Sequence, residues 1–168
     1  MESTLKTKLI GSCKEDMIAF FQSHPECVEE TIALAISDDQ PFSWRAAWLL
    51  GSCIESDDKR IRKHVPTIIR SIKSKNDGHQ RELIKILLRM NVPEKYEGLV
   101  FDLCMNLWEQ QNKDPSVRMT SLKFILKVAQ KHPTLSKEVT ALTQDRYLES
   151  LSPGIKKSVS KMMKEFIR

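Results

Sequence analysis

Apolar residues recur along this chain at intervals of three and four, and strict two-residue alternation is almost absent. The pattern predicts ten helices, over residues 3–11, 14–23, 26–37, 41–55, 58–73, 79–90, 95–112, 115–131, 135–149 and 153–168. The gaps between them carry turn chemistry. His24-Pro25 and His132-Pro133 each stop one helix and open the next, because a residue before proline avoids the α region. Asn76-Asp77-Gly78 and Asn91-Val92-Pro93 are turn formers. Asp114-Pro115 and Ser152-Pro153 set a capping side chain ahead of a proline whose missing N–H costs nothing in a first turn. Pro66 falls inside the helix drawn over 58–73, so a kink or two shorter helices are expected there.

Four helix starts resemble one another. They are Asp38-Asp39-Gln40-Pro41-Phe42-Ser43-Trp44-Arg45, Asp77-Gly78-His79-Gln80-Arg81, Asp114-Pro115-Ser116-Val117-Arg118 and Ser152-Pro153-Gly154-Ile155-Lys156. Their basic residues, at 45, 81, 118 and 156, are 36, 37 and 38 residues apart. A period in that range marks stacked two-helix units, none of which can cover its own apolar faces alone. Four units are predicted, at about 25–56, 57–92, 93–132 and 133–168, with residues 1–24 as a degenerate leading hairpin of one 1–168 domain.

These residues resemble the HEAT-repeat family. Asp114-Pro115-Ser116-Val117-Arg118 is similar to its inter-helix turn and second-helix start. Trp44-Arg45-Ala46-Ala47-Trp48-Leu49-Leu50-Gly51 resembles the second helix of the HEAT-like repeats of phycobilisome lyase subunits. The resemblance implies an all-α fold: a right-handed α-α superhelix of about five helical hairpins, a HEAT-like or ARM-type solenoid. It also implies that second helices line the concave face, and that the signature arginines bond to turn acids and carbonyls of adjacent repeats. The implied ladder joins Arg45, Arg81, Arg118 and Lys156 to Asp38 or Asp39, Asp77 and Asp114. A phosphate-binding role for the same arginines is the alternative.

Composition adds little to this. At 168 residues, 40% hydrophobic and 29% charged, the chain can bury a real core and is not expected to be disordered. No apolar run approaches a membrane span, and the N-terminus lacks a signal pattern. Cys13, Cys27, Cys53 and Cys104 are widely spaced, which reads as reduced thiols in a cytoplasmic protein.

Charge changes the picture more. Arg81, Lys85 and Arg89 share one helical face, as do Lys123, Lys127 and Lys131, and Lys157, Lys161 and Lys164. The helices over 79–90, 115–131 and 153–168 carry +2, +4 and +4, against +5 for the whole chain. These rows are either the solvated faces of amphipathic helices or one positive surface. An acidic protein or peptide is the partner expected of such a surface. Nucleic acid is the other, disfavoured because no aromatic residue interleaves with the rows. Trp44 and Trp48, one turn apart, are either core or an aromatic anchor for a partner.

No motif for a metal, a cofactor or a catalytic group is present, so no such site is expected. The function expected is a non-catalytic protein-binding scaffold or adaptor. The competing expectation is a DNA-binding protein like the alkylpurine DNA glycosylases built from HEAT-like repeats, for which Asp102 and Trp108 are the only suggestive pair. Ile155, Val159, Met162, Met163, Phe166 and Ile167 span a wide sector of the last helix, so the chain is expected to be a monomer or a weak end-to-end dimer.

Overall fold

The computed structural model describes residues 3–168. They are helical, without a strand, and helix accounts for 77% of the structure. In chain order the helices are α1 (Thr4–Gly11), α2 (Lys14–Ser23), α3 (Val28–Ile36), α4 (Phe42–Cys53), α5 (Lys59–Arg62), α6 (Val65–Ile72), α7 (Asp77–Arg89), α8 (Glu94–Glu109), α9 (Pro115–Lys131), α10 (Ser136–Ala141), α11 (Asp145–Leu148) and α12 (Pro153–Ile167). Short 3-10 turns over Pro25–Cys27 and Pro133–Leu135 lead into α3 and α10. None of the described helices is long and apolar enough to cross a membrane.

The start signals act as their chemistry requires. Ser3, Asp58, Asn76, Asp114 and Ser152 each accept a backbone N–H in the first turn of the helix they precede. Pro66 splits the expected 58–73 helix into α5 and α6 around His64. The helix expected over 135–149 is corrected to two, α10 and α11, with a break at Leu142–Gln144. The reason lies in the core. Trp108 is fully buried, and its indole N–H needs an acceptor. The Leu142 carbonyl, freed by the break, accepts it at 3.1 Å.

The chain forms two compact units, Met1–Val92 and Pro93–Arg168. In the first, α4 is the hub. It packs on α1, α2, α3 and α7, and α6 packs on α7. Ala46, Ala47, Leu49 and Leu50 of α4 are buried, as are Ile32, Ile68, Leu83 and Leu87 of the same unit. In the second unit α9 takes the central place, packing on α8, α10 and α12 around Val100, Cys104, Trp108, Leu122, Phe124 and Ile125. Gly51, inside α4, faces α7. A Cβ there would meet the Lys85 Cβ at 3.8 Å, an ordinary contact, so its small size is not forced by a clash.

Asp58 anchors the connector between α4 and α5. Its carboxylate is buried and accepts from the Arg60 side chain at 2.7 Å and from the Arg60 N–H at 3.0 Å. The Arg60 guanidinium holds its carboxyl well below the usual range, at about 2. A depressed carboxyl stabilises the fold above its unfolded pKa and loses that contribution as pH falls through the folded value. Asp58→Asn is therefore expected to lower stability by about 1–2 kcal/mol at neutral pH, with Arg60 half-exposed and partly screened. The difference from wild type should shrink between about pH 4 and pH 2. Urea unfolding across that window checks it.

Candidate functional site

Two of the signature arginines, Arg45 and Arg118, bond to helix-end carbonyls. Arg45 donates to the Leu9 carbonyl at 2.8 Å. Arg118 is fully buried and donates to the Trp108 carbonyl at 2.8 Å, the Tyr147 carbonyl at 2.5 Å and the Ser150 hydroxyl at 3.0 Å. Its guanidinium also lies 4.8 Å from the Trp108 ring centre. Lys156 is exposed. Asp38 pairs with Lys75, Asp39 pairs with Lys6 at 2.6 Å, and Asp114 accepts from the first turn of α9.

The physical reason is that the last carbonyls of a helix have no partner inside it. Buried ones need outside donors, and the arginines supply them. The same task falls to other residues as well. His79, fully buried, has Nε2 2.7 Å from the Ala35 carbonyl at the end of α3, and its Nδ1 faces the Gln40 amide at 3.2 Å. Nε2 therefore carries the proton that binds the carbonyl. Burial pushes the His79 ring below its ordinary value, toward this neutral form. Gln80 donates to the Ile72 carbonyl at 3.1 Å and Arg89 to the Ile54 carbonyl at 2.8 Å.

Glu97 is a further structural acid that its sequence position did not flag. It is buried on α8, with His132 Nε2 at 2.7 Å and the Lys131 ammonium at 2.5 Å. Burial pushes its carboxyl up, but the bonds from Lys131 and His132 outweigh this and hold it below the usual range. Lys131 thus closes the α8–α9 hairpin.

Two of the basic rows belong to the second unit. In the second unit, Lys123 and Lys127 line a groove of about 180 Å³ with Leu126 of α9 and with Met162, Glu165 and Phe166 of α12. Lys157, Lys161 and Lys164 instead surround a hollow formed by α12 alone, with Arg168. On α12, Val159 and Met163 are buried, Ile155, Met162 and Phe166 are half-buried, and Ile167 is 68% exposed.

The first unit differs. Its α4 and α7 form the walls of a groove with two joined lobes. The larger, about 560 Å³, is lined by Trp44, Arg45 and Trp48 of α4, by Arg81, Glu82 and Lys85 of α7, and by Ser12, Cys13, Lys14 and Met17 at the start of α2. The smaller, about 390 Å³, continues past Trp48 to Gly51, Ser52, Leu88 and Arg89. The tryptophans are half-buried, so they are neither core nor free. The Lys14 ammonium lies 5.7 Å from the Trp48 ring centre. Glu82 is buried beneath them and pairs with Arg81 at 2.8 Å and Lys85 at 3.3 Å, which fixes where both cations sit.

The remaining candidates carry no chemistry. Asp102 is exposed while Trp108 is fully buried, so the suggestive pair is not one site. Cys104 is sealed in the core and burial pushes its thiol far up, away from the reactive thiolate. Cys13 is exposed and Cys27 and Cys53 are half-buried, and all three thiols are also raised.

A family model described as a HEAT repeat domain matches residues 1–166. The chain belongs to the HEAT-repeat family. No curated protein and no solved structure matches it. Proteins built of HEAT repeats commonly serve as protein-interaction scaffolds. In this HEAT-repeat chain the hairpins α3–α4 and α8–α9 show the helix-on-helix packing of such a repeat.

Proposed function

We propose that this HEAT-repeat chain is a non-catalytic protein-binding module, and that the groove between α4 and α7 receives an acidic segment of its partner. The observation that carries this is the pairing of two half-exposed tryptophans with a row of cations in one hollow. Tryptophan and arginine are the residues most often found to dominate binding energy at interfaces. A row of cations attracts carboxylates and speeds encounter. Glu82 offsets part of the charge from below, which suits a segment with a few carboxylates better than a polyphosphate chain. The Lys123–Lys127 groove of the second unit offers a similar mix of cation and apolar surface on a smaller scale.

The test is an array of random decapeptides probed with labelled protein at low and high salt. Bound peptides are expected to be rich in aspartate and glutamate, with signal falling as salt rises. The double variant Lys14→Glu, Lys85→Gln leaves Glu82 its Arg81 partner and should keep the wild-type circular dichroism. Its signal on acidic peptides is expected to drop about tenfold or more, the scale of one to two lost charge pairs. Unchanged acidic enrichment in the variant, or duplex DNA bound more tightly than any decapeptide, overturns the proposal.

A further inference from the structure

Three tryptophans allow a comparison within the molecule. The buried Trp108 has its N–H satisfied by the Leu142 carbonyl. Among the described residues, neither Trp44 nor Trp48 donates its indole N–H to any protein group. Both line the groove, and Gly78 at the start of α7 lies beside the Trp44 edge, where a Cβ would come within 3.5 Å of Nε1. An indole N–H is a donor only, so whatever covers these rings must bring acceptors or leave donors stranded.

Which shape of segment brings acceptors is a matter of backbone chemistry. A helix has spent its carbonyls internally, except for the last four. An extended chain presents free carbonyls along its length. The geometry agrees. From Trp44 to Ser52 the α4 wall is eight residues, about 12 Å at the helical rise. That length holds about four extended residues. Alternate side chains of an extended segment are about 6.6 Å apart, close to the one-turn step of about 6 Å between Arg81, Lys85 and Arg89.

We infer that the groove takes an extended peptide segment, with one bulky apolar side chain on the Trp44–Trp48 surface, glutamate or aspartate at alternate positions beyond it facing Lys85 and Arg89, and backbone carbonyls accepting from the two indoles. The inference rests on the protein-binding proposal above and adds the form in which the ligand binds. Trp44 and Trp48 are then specificity-determining residues through their N–H groups as well as their surface.

The probe is a synthetic hexapeptide with leucine second and glutamate fourth and sixth, titrated against indole emission. Each backbone amide is then replaced in turn by an ester, which weakens the carbonyl as an acceptor. At least one ester is expected to weaken binding to the wild type about fivefold, the size of one net hydrogen bond. The same ester should change binding to Trp44→Phe or Trp48→Phe less than twofold, because phenylalanine keeps a ring and has no donor. The inference is overturned if no ester weakens binding, if wild type and phenylalanine variants respond alike, or if the same residues locked as a helix bind more tightly. In those cases acidic decapeptides on the array would still bind, and the broader proposal would stand. Failure of every acidic peptide to bind overturns both.

Discussion

Arg118→Ala is expected to lower stability by about 3–5 kcal/mol, the scale of removing one partner from a buried charged network. For a chain of this length that is a fall of about 10 °C in Tm. Three separate losses combine. Two helix-end carbonyls, of Trp108 and Tyr147, and the Ser150 hydroxyl lose their donor. The Trp108 ring loses the cation stacked on it. A cavity opens at a position that is fully sealed from solvent. Arg118→Lys separates charge from geometry: one ammonium cannot serve acceptors spread across a guanidinium fork, so most of the loss should remain. Ser150→Ala removes only the exposed end of the network and should cost about 0.5–1 kcal/mol. Chemical denaturation of the three variants at neutral pH checks the order. A lysine variant as stable as wild type would mean that charge alone matters at this site.

Adjacent residues of α4 are expected to respond with opposite signs. Leu50 is fully buried on the hub helix of the first unit. Leu50→Ala removes its methyl groups from a core closed by α1, α2, α3 and α7, and should cost about 2–5 kcal/mol. Gly51 has only ordinary contacts around the space a Cβ would fill. Gly51→Ala should therefore gain about 0.5–1 kcal/mol from the restricted unfolded chain and better helix propensity. Thermal melts followed at 222 nm, the usual helix signal, are the measurement. A destabilising Gly51→Ala would show that α4 and α7 cannot absorb the methyl group.

The helices were legible because their apolar positions follow the helical period and their starts carry capping residues such as Asp114 and Ser152. Pro66 announced the division between α5 and α6. The break at Leu142–Gln144 had no such signal. It answers to the Trp108 N–H, a partner 34 residues away. The site was legible in part. One-turn spacing put Trp44 beside Trp48 and aligned Arg81, Lys85 and Arg89. That the two rows face one groove depends on how α4 packs against α7, and its third wall comes from Cys13 and Lys14 at the start of α2. The burial of Glu82 and Glu97 was hidden for a related reason. An acid on an amphipathic helix reads as solvent-facing until its cations, here Lys85 or the Lys131–His132 pair, are placed over it. The carbonyl bonds of Arg45 and Arg118 follow from a need common inside a helical stack, donors for spent helix ends.

Those side-chain bolts on helix ends also dictate where the chain tolerates a change of length. One residue inserted in the last turn of α8 would swing its terminal oxygens by about 100° around the axis, out of reach of the guanidinium that now holds them. The same holds at the ends of α1 and α3, gripped by Arg45 and His79. Insertions and deletions are thereby pushed out of the rods and into linkers such as 110–113, and grafted tags or loops belong there.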